Sequence, residues 1–277
     1  MRKVSFLFWN LNRRPLLSLV AGLVREHRID VVILAECEIP VVGLLDELNS
    51  AESAKFSFPP NMSSHLTILT RFPRESLQMV RDTGGVAIRR LVPPVGLDIL
   101  LVAVHLPSKM HQTDSDQGLS CTRIVRFVEE AERSVNHTRT IVVGDFNMNP
   151  FEFGVVGAEG FHAVMTRRAA AKGARTVQGE ERRFFYNPMW GYFGDVSPGP
   201  PGTYYYNSSS QVNYYWNIFD QILIRPDLLE RFNNSDVAIL TSAGRLSLLS
   251  DQQIPNREIG SDHLPILLRL DLSKELL

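Results

Sequence analysis

Short apolar runs rich in β-branched and aromatic residues recur along most of the chain, and they constrain its fold more than any other feature. Runs of this kind, bounded by polar or turn-forming residues, predict buried strands. They lie at 4–9, 29–35, 66–70, 85–89, 97–105, 139–144, 218–224, 236–240 and 264–270. Helical periodicity predicts one helix after Pro15 and another at 120–133. Because strands outnumber helices, the sequence predicts an α/β architecture with at least one mixed sheet.

The region at about 165–215 departs from this pattern. Its first part is basic, and glycine, proline, asparagine, serine and aromatic residues dominate from Pro188 onward. Loops of this length are usually functional or disordered. A disordered insertion and an ordered loop over a site are both open, and the many aromatic side chains favour the second. The remaining sequence has no repeat and no second boundary, so we expect one domain spanning 1–277.

The charge balance limits the possible partners. The 29 basic and 30 acidic side chains give a net charge of −1, so no global field attracts polyanions, and nucleic acid would need a local basic patch.

The two cysteines, Cys37 and Cys121, are predicted to be buried reduced thiols. No apolar run approaches the roughly 18 to 20 residues of a membrane span. Met1-Arg2-Lys3 leads directly into a strand-like run, so we expect a cytoplasmic protein.

Polar side chains stand where the predicted strands stop or start. Sites in sheet proteins gather at such ends, because strands hold the side chains rigidly while loops leave them accessible. We therefore expect one pocket, built from six chain segments. Its candidate members are Asn10, Asn12, Glu36, His105, Asp145, Asn147, Asp220, Asp262 and His263.

Carboxylates at strand ends suggest a metal site. Mg²⁺ and Mn²⁺ take hard oxygen ligands and keep several waters, so one or two carboxylates plus a substrate phosphate suffice. Glu36 is the leading ligand, with Asn10 and Asp262 beside it. Glu36 follows an apolar run, where an unpaired charge is costly unless it meets a cation or solvent. The alternative is a solvated glutamate at a strand exit.

The segment Gly144-Asp145-Phe146-Asn147 carries the candidate base. In an extended segment, residues two apart face the same way, so Asp145 and Asn147 would hold one water between them. Asp145 would orient and deprotonate that water, and Asn147 would steady it or a phosphoryl oxygen. The alternative is a capped turn with Asn149 as N-cap and Pro150 opening a helix, and the two interpretations are compatible.

Two histidines are candidates for contacting the phosphate. Asp220, inside an apolar strand, is the expected buried partner that would raise the pKa of His263 and fix its tautomer. His105 would protonate the leaving oxygen or bind a non-bridging one. Further candidate substrate contacts, which are equally compatible with ordinary surface positions, are Asn12, Ser108, Lys109 and Arg123.

Taken in order, these segments resemble the endonuclease/exonuclease/phosphatase superfamily of metal-dependent phosphodiesterases. The resemblance rests on Trp9-Asn10, Ala35-Glu36, His105-Leu106, Gly144-Asp145-Phe146-Asn147, Phe219-Asp220 and Ser261-Asp262-His263. It implies a four-layered α/β sandwich, with two packed mixed β-sheets flanked by helices. For the site, it implies metal binding at Asn10, Glu36 and Asp262, water activation at Asp145 with Asn147, and an Asp220–His263 pair at the scissile phosphate.

Two positions bear on the substrate. Abasic-site enzymes similar to exonuclease III usually carry tyrosine where this chain has His105, and aspartate where it has Asn12, so repair at abasic sites is disfavoured. We expect an Mg²⁺- or Mn²⁺-dependent phosphodiester hydrolase, most readily a nuclease, because the 167–183 stretch is basic and the following aromatics can stack bases. The alternatives are a phosphatase or phosphodiesterase for small-molecule or lipid head-group phosphates such as phospholipid or inositol phosphate, and a catalytically silent binding module.

Overall fold

The computed structural model describes residues 3–50, 55–63, 65–110 and 112–273. The expectation of a cytoplasmic protein used the segment Met1-Arg2-Lys3, and Met1 and Arg2 lie outside these ranges. The strands are β1 Val4–Asn10, β2 Val31–Ala35, β3 Leu66–Thr70, β4 Leu77–Thr83, β5 Val86–Leu91, β6 Ile99–His105, β7 Thr140–Asp145, β8 Ala163–Val164, β9 Ala174–Val177, β10 Glu180–Arg183, β11 Phe185–Tyr186, β12 Tyr204–Tyr205, β13 Trp216–Asn217, β14 Asp220–Ile224, β15 Val237–Ile239, β16 Ser242–Ala243, β17 Leu246–Ser247 and β18 Ile266–Leu270.

Two large mixed sheets contain most of these strands. A five-stranded sheet has the order β15-β18-β1-β2-β3, and a seven-stranded sheet has the order β4-β5-β6-β7-β14-β11-β8. In each sheet, parallel pairs (β1 with β2, β6 with β7) lie beside antiparallel ones. The mixed-sheet prediction is confirmed.

The α-helices are α1 Leu17–His27, α2 Val41–Asn49, α3 Asp114–Val135, α4 Phe153–Val156 and α5 Arg167–Ala170. Helix α3 begins several residues before the predicted 120–133 range, because Thr113 and Asp116 form a capping box at its start. Helix α2 and strand β4 are absent from the sequence prediction. The helix is short and contains β-branched residues and a glycine, and the strand is largely exposed, so neither has a strong apolar pattern.

The sheets and helices form four layers, which confirms the predicted sandwich. The two sheets contact each other through β1 and β2 against β7 and through β14 against β18. Side chains of β6 alternate between the two faces of its sheet. Leu101 and Ala103 belong to the core between the sheets, whereas Val102 packs with Ile124 and Val128 of α3 on the outer face. On the other outer face, α1 buries Val20, Ala21, Leu23 and Val24.

Strand direction brings the polar strand ends to one edge of the sandwich. Asn10 is in register with Ala35, so β1 and the parallel β2 end together. His105 is likewise in register with Asp145 on parallel β6 and β7. The antiparallel β14 starts where β7 stops, with Asp220 opposite Asp145. These pairings place the candidate residues side by side.

The 165–215 region forms short elements, not one long loop. Strands β9 and β10 form a hairpin, and β11 joins the seven-stranded sheet with Tyr186 opposite Ile224. Because Asp220 is at the other end of β14, the basic 167–183 stretch lies toward the edge of the sheet opposite the candidate site. Strand β12, in contrast, lies beside the candidate site, because its residue Tyr204 forms an isolated β-bridge with His263.

Among the described residues, no helix is both long and apolar enough to span a bilayer. Cys121 is buried as predicted, whereas Cys37 is only partly buried.

Candidate active site

Asn10 connects the two carboxylates at the centre of the site. Its side chain is buried at the end of β1, and its Nδ2 donates to Asp145 Oδ2 at 2.9 Å and to Glu36 Oε1 at 3.4 Å. Its Oδ1 accepts the backbone N–H of Asn12 at 2.9 Å. The amide therefore bridges the two sheets and holds two negative charges close together.

Glu36 has the environment of an ionised ligand. It follows β2 with a backbone φ of 46°, a left-handed conformation that residues other than glycine rarely adopt and that is frequent at functional sites. His105 Nε2 lies 3.4 Å from Glu36 Oε1, and Arg13 Nε lies 3.6 Å from Oε2. The hydrogen bond with His105 outweighs burial and, helped by Asn10 and Arg13, lowers the pKa of Glu36 to about 2.

His105 stands between the two carboxylates. Its Nε2 is 4.0 Å from Asp145 Oδ2, in addition to its contact with Glu36. Burial alone would lower the pKa of His105, but the hydrogen bond to Glu36 and the charge of Asp145 raise it. The imidazole is thus stabilised in its protonated form, as a hydrogen-bond donor requires.

The turn after β7 fixes Asp145. Asp145 Oδ1 accepts the backbone N–H of Asn147 at 2.8 Å, and Asn147 Nδ2 donates to the carbonyl oxygen of Leu106 at 2.8 Å. Asn147 has φ of 50°, so the segment is not extended there, and the predicted arrangement of two side chains facing the same way is wrong. Asn147 contacts Asp145 through its backbone, while its amide nitrogen binds the loop after His105.

The predicted helix cap at Asn149 is also wrong. Helix α4 begins only at Phe153, and the side chain of Asn149 is used elsewhere. Its Oδ1 accepts the backbone N–H of Ile218 at 2.9 Å, and its Nδ2 donates to Asn217 Oδ1 at 2.9 Å. Asn149 therefore ties the turn after β7 to the segment that enters β14.

Asp220 and His263 form the buried pair expected from the sequence. Asp220 Oδ2 lies 2.8 Å from His263 Nδ1, and His263 Nε2 lies 4.0 Å from Asp145 Oδ2. Burial opposes the charged imidazole, but the charges of Asp220 and Asp145 raise the pKa of His263. With Nδ1 bound to Asp220, Nε2 is the nitrogen that faces Asp145.

The loop before β18 is attached to β1. Ser261 Oγ donates to the carbonyl oxygen of Asn10 at 2.7 Å and lies 3.3 Å from Asp262 Oδ1. Trp9 Nε1 donates to the carbonyl oxygen of His263 at 2.8 Å. Asp262, only partly buried, is thereby held beside Asn10.

The four candidate substrate contacts have different surroundings. The Lys109 ammonium group pairs with Glu152 and lies 3.5 Å from Asp114, so its charge is already balanced. Arg123 is exposed on α3, where it lines a shallow groove with Leu119 and Ser120. Asn12, exposed, and Ser108, partly buried, follow β1 and β6 at the edge of the site.

The basic 167–183 stretch does not reach this site. Arg182 bonds to Glu159 at 2.6 Å, and Arg183 lies 3.9 Å from Glu132 near the end of α3. Because strand register places it toward the opposite edge of the sheet, this stretch does not support a nucleic-acid contact at the candidate site.

Sequence reasoning missed several neighbours of the Asp220–His263 pair. The Tyr204 ring lies 4.8 Å from the His263 ring and stacks on Phe219 at 5.2 Å. Buried Thr203 accepts the backbone N–H of Asp220 through Oγ1 at 3.1 Å. Arg257 lies over the Tyr204 ring at 5.9 Å. The tyrosine run at 204–206 was visible in the sequence, but nothing local placed it against a histidine some sixty residues later.

The donor set fits a divalent cation on the Glu36 side of the site. Asp145, Asp220 and His263 offer ligand atoms within 4.8 Å of one another, but His263 uses Nδ1 for Asp220 and is stabilised in its charged form. A protonated imidazole does not bind a metal. Glu36 and Asp262 carry carboxylate oxygens, the ligands that Mg²⁺ and Mn²⁺ prefer. Asn10 turns Nδ2 toward Glu36 and uses Oδ1 to accept the Asn12 backbone N–H, so only the second lone pair of Oδ1 is left for a cation. The assignment of all three as ligands stays a prediction.

The fold has been observed in other proteins. A TDP2 from D. rerio, solved in complex with a single-strand DNA product, superposes with a TM-score of 0.55 at 17% identity, covering 97% of this chain and 98% of that one. An endonuclease/exonuclease/phosphatase family protein from Bacteroides thetaiotaomicron gives 0.59 at 13% identity, covering 99% of each chain. The endonuclease domain of TRAS1, a telomere-specific non-LTR retrotransposon, gives 0.52 at 14% identity, covering 98% and 100%.

No curated protein sequence matches the chain significantly. A family model does, and it spans residues 7–263, from within β1 to the histidine that pairs with Asp220. The chain belongs to the Endonuclease/Exonuclease/phosphatase family.

Proposed function

We propose that this protein is an Mg²⁺- or Mn²⁺-dependent phosphodiester hydrolase and that its substrate is a nucleic acid. The observation that carries the proposal is that segments remote in sequence bring two carboxylates, an amide and two imidazoles into contact at one edge of the sandwich. Acids and imidazoles in mutual contact are the groups that general acid–base attack on phosphorus requires.

Asp145 has the role of general base. Its two carboxylate oxygens accept hydrogen bonds from Asn10 and from the backbone of Asn147, which fix its orientation. A water beside it would lose its proton to the carboxylate as its oxygen attacks phosphorus. Asn147 is a positioning residue in this scheme, because it contacts Asp145 through its N–H.

The imidazoles face the developing charge. His263, oriented by Asp220 through Nδ1, donates from Nε2 to a non-bridging phosphoryl oxygen. His105 supplies the proton taken up by the leaving oxygen as the phosphorus–oxygen bond breaks. Glu36, Asn10 and Asp262 would hold a divalent cation, whose chemistry there would be further stabilisation of negative charge on the phosphoryl group.

Nucleic acid is favoured by groups beside the site. Arg13 lies near Glu36, Arg14 donates to the carbonyl oxygen of Glu258, and Arg257 lies over Tyr204. Arginines bind phosphates, and aromatic faces stack bases. The TRAS1 endonuclease domain and the TDP2 solved with a single-strand DNA product support the same substrate class. Both thiols are unpaired, which is consistent with the cytoplasm as the expected compartment.

A substrate panel tests the proposal. The purified protein is assayed with Mg²⁺ or Mn²⁺, with and without EDTA, on DNA and RNA oligonucleotides, bis-p-nitrophenyl phosphate and an inositol phosphate. We expect EDTA-sensitive cleavage of oligonucleotides whose specificity constant falls steeply with salt, because several phosphates are contacted. Hydrolysis of the inositol phosphate alone, without salt dependence, would reassign the substrate; no hydrolysis of any phosphate ester would overturn the proposal.

A further inference from the structure

A groove of about 680 Å³ lies beside the Asp220–His263 pair. One side is formed by residues 205–207, directly after Tyr204, and the other by residues 250–252 and 254–258, a few residues before the Ser261-Asp262-His263 segment. The Tyr204 ring lies 4.8 Å from that of His263, and the Tyr206 ring is stacked 6.5 Å from that of Tyr204 with 18° between their planes. The rings of His263, Tyr204 and Tyr206 thus form a row from the proposed position of the phosphate to the groove.

The lining of the groove fits a neutral planar group. The Tyr206 side chain is 52% exposed, so it offers an aromatic surface. The neutral polar residues Asn207, Gln252 and Asn256 also line the groove. Ser250 Oγ, in the same lining, is buried and has no hydrogen-bond partner within the described residues. The groove therefore combines a stacking surface with hydrogen-bonding groups.

The charges in the groove argue against a phosphate as its occupant. Asp251 and Glu258 line it against the single cation Arg257, which gives a net negative lining. Arg257 also donates to the carbonyl oxygen of Tyr205 at 3.1 Å, so its guanidinium is held at the wall on the Tyr204 side. A nucleobase is neutral and planar, and its edges carry both donors and acceptors, as this lining requires.

We propose that this groove binds the base of a nucleotide adjacent to the scissile phosphate, stacked on Tyr206, and that the substrate strand is unpaired there. This inference rests on the proposed nuclease function. A base whose edge meets the groove amides cannot also be paired in a duplex, and stacking on an exposed tyrosine requires an unstacked base. Single-stranded DNA or RNA satisfies both conditions.

Binding measurements separate the groove from catalysis. Fluorescence anisotropy is recorded with two proteins, Asp145→Asn alone and Asp145→Asn combined with Tyr206→Ala. Both lack the carboxylate that is the proposed general base. The probes are DNA and RNA oligonucleotides that are intact or carry one abasic nucleotide on the 5′ or the 3′ side of the cleaved bond. With Tyr206 present, loss of the base on one side should weaken binding about tenfold. With Tyr206→Ala, the intact oligonucleotide should bind about tenfold more weakly, and the abasic substitution should add nothing.

Control variants test whether the loss of affinity is specific to the Tyr206 ring. Tyr214 is 57% exposed and outside the groove lining, so Tyr214→Ala should leave the abasic penalty intact. Tyr206→Phe keeps the ring and should retain most of the affinity. Circular dichroism checks that each variant is folded. A fully paired, blunt duplex should bind more weakly than the single strand in both series.

The outcomes distinguish this inference from the proposed function. If wild-type protein hydrolyses bis-p-nitrophenyl phosphate and oligonucleotides, but the abasic penalty is the same with and without Tyr206, the groove assignment is wrong and the hydrolase proposal stands. If the wild-type protein hydrolyses no phosphodiester, the proposed function fails first. An equal loss from Tyr214→Ala would also overturn the groove assignment.

Discussion

At the scale of single residues, the site depends on hydrogen bonds that keep acidic groups ionised and oriented. Asp145 is buried, yet its carboxylate oxygens accept from Asn10 Nδ2 and from the Asn147 backbone N–H. These two bonds satisfy both oxygens of the buried carboxylate and fix its orientation.

Asp145→Asn should abolish turnover with little change in fold. The amide cannot take the proton from water, so kcat on bis-p-nitrophenyl phosphate should fall by about 10² to 10⁴-fold. An amide nitrogen facing Asn10 Nδ2 would leave one donor unpaired, which costs about 1 to 3 kcal/mol of unfolding free energy. Exposed Asp195→Asn is the control. Retained turnover in the Asp145 variant would remove Asp145 from the role of base.

Glu36→Gln should weaken the response to metal. A neutral amide loses the charge that His105, Asn10 and Arg13 stabilise in Glu36, so the Mn²⁺ concentration for half-maximal activity should rise about tenfold or more. Isothermal titration with Mn²⁺ should show the same shift without substrate. Glu38→Gln is the matched control, because Glu38 is exposed and also lies near Arg13. An unchanged Mn²⁺ affinity would contradict the ligand assignment.

The residue types of the site were predictable, whereas their detailed contacts were not. Polar residues at strand ends identified Asn10, Glu36, His105 and Asp145, and an acid within an apolar strand identified Asp220. Asn147 donates to the carbonyl oxygen of Leu106, and Asn149 accepts the backbone N–H of Ile218, and both partners are remote in sequence. Local periodicity contains no information about such partners.

At the scale of elements, the approach of β6 to β7 requires a residue without a side chain. Gly144 has φ of 154°, and a Cβ there would lie 1.9 Å from the carbonyl oxygen of Val104. The clash is with backbone, which cannot rotate away. Gly144 thereby lets His105 and Asp145 end in register on neighbouring strands.

Gly144→Ala should destabilise the protein by about 3 kcal/mol or more, because both strain and a backbone clash must be relieved. Urea denaturation followed by circular dichroism measures the loss. Gly43→Ala is the control: Gly43 lies in α2 with open space around its Cβ position, so alanine there should be neutral or stabilise by about 0.5 to 1 kcal/mol. Similar stabilities for the two variants would exclude a special role for Gly144.

Most buried strands were predictable as elements, and exposed or short ones were not. The limits of β3 match the apolar run at 66–70. Strand β4 was missed because only Leu77 of its seven residues is buried. The start of α3 was missed because its first turn is defined by a cap at Thr113 and not by apolar periodicity.

At the scale of the whole molecule, Asp98 joins segments far from the site. It pairs with Arg90 of β5 at 2.7 Å, with Arg139 just before β7, and with His137 just after α3 at 3.2 Å. Burial would raise the pKa of Asp98, but hydrogen bonds from Arg90 and Arg139 prevail and lower it to about 2.

Because this pKa is depressed, the Asp98 contribution to stability is fully present above the ordinary value of 3.8 and is lost as pH falls toward about 2. Asp98→Asn should therefore lower the unfolding free energy at pH 7 by about 1 to 3 kcal/mol. The difference from wild type should shrink as pH falls through that window. Asp195→Asn again serves as control in urea denaturation at each pH. A difference that does not vary with pH would show that charge is not its cause.

The pairing of the two sheets could not be obtained from composition or spacing. Strand β1 lies between β18, from the other end of the described chain, and β2, which is close in sequence. The family resemblance implied two packed sheets flanked by helices, and the strand order within each sheet is seen only in the structure. Local pattern identifies strands, whereas their order depends on contacts between distant segments.

The hydrogen bonds from Trp9 to the carbonyl oxygen of His263 and from Ser261 to that of Asn10 connect positions more than 250 residues apart. During synthesis, β1 emerges from the ribosome long before the loop that completes the pocket. If the proposed function holds, a nascent chain that carries Asn10, Glu36, His105 and Asp145 without His263 would be inactive until the segment leading into β18 has been translated and folded.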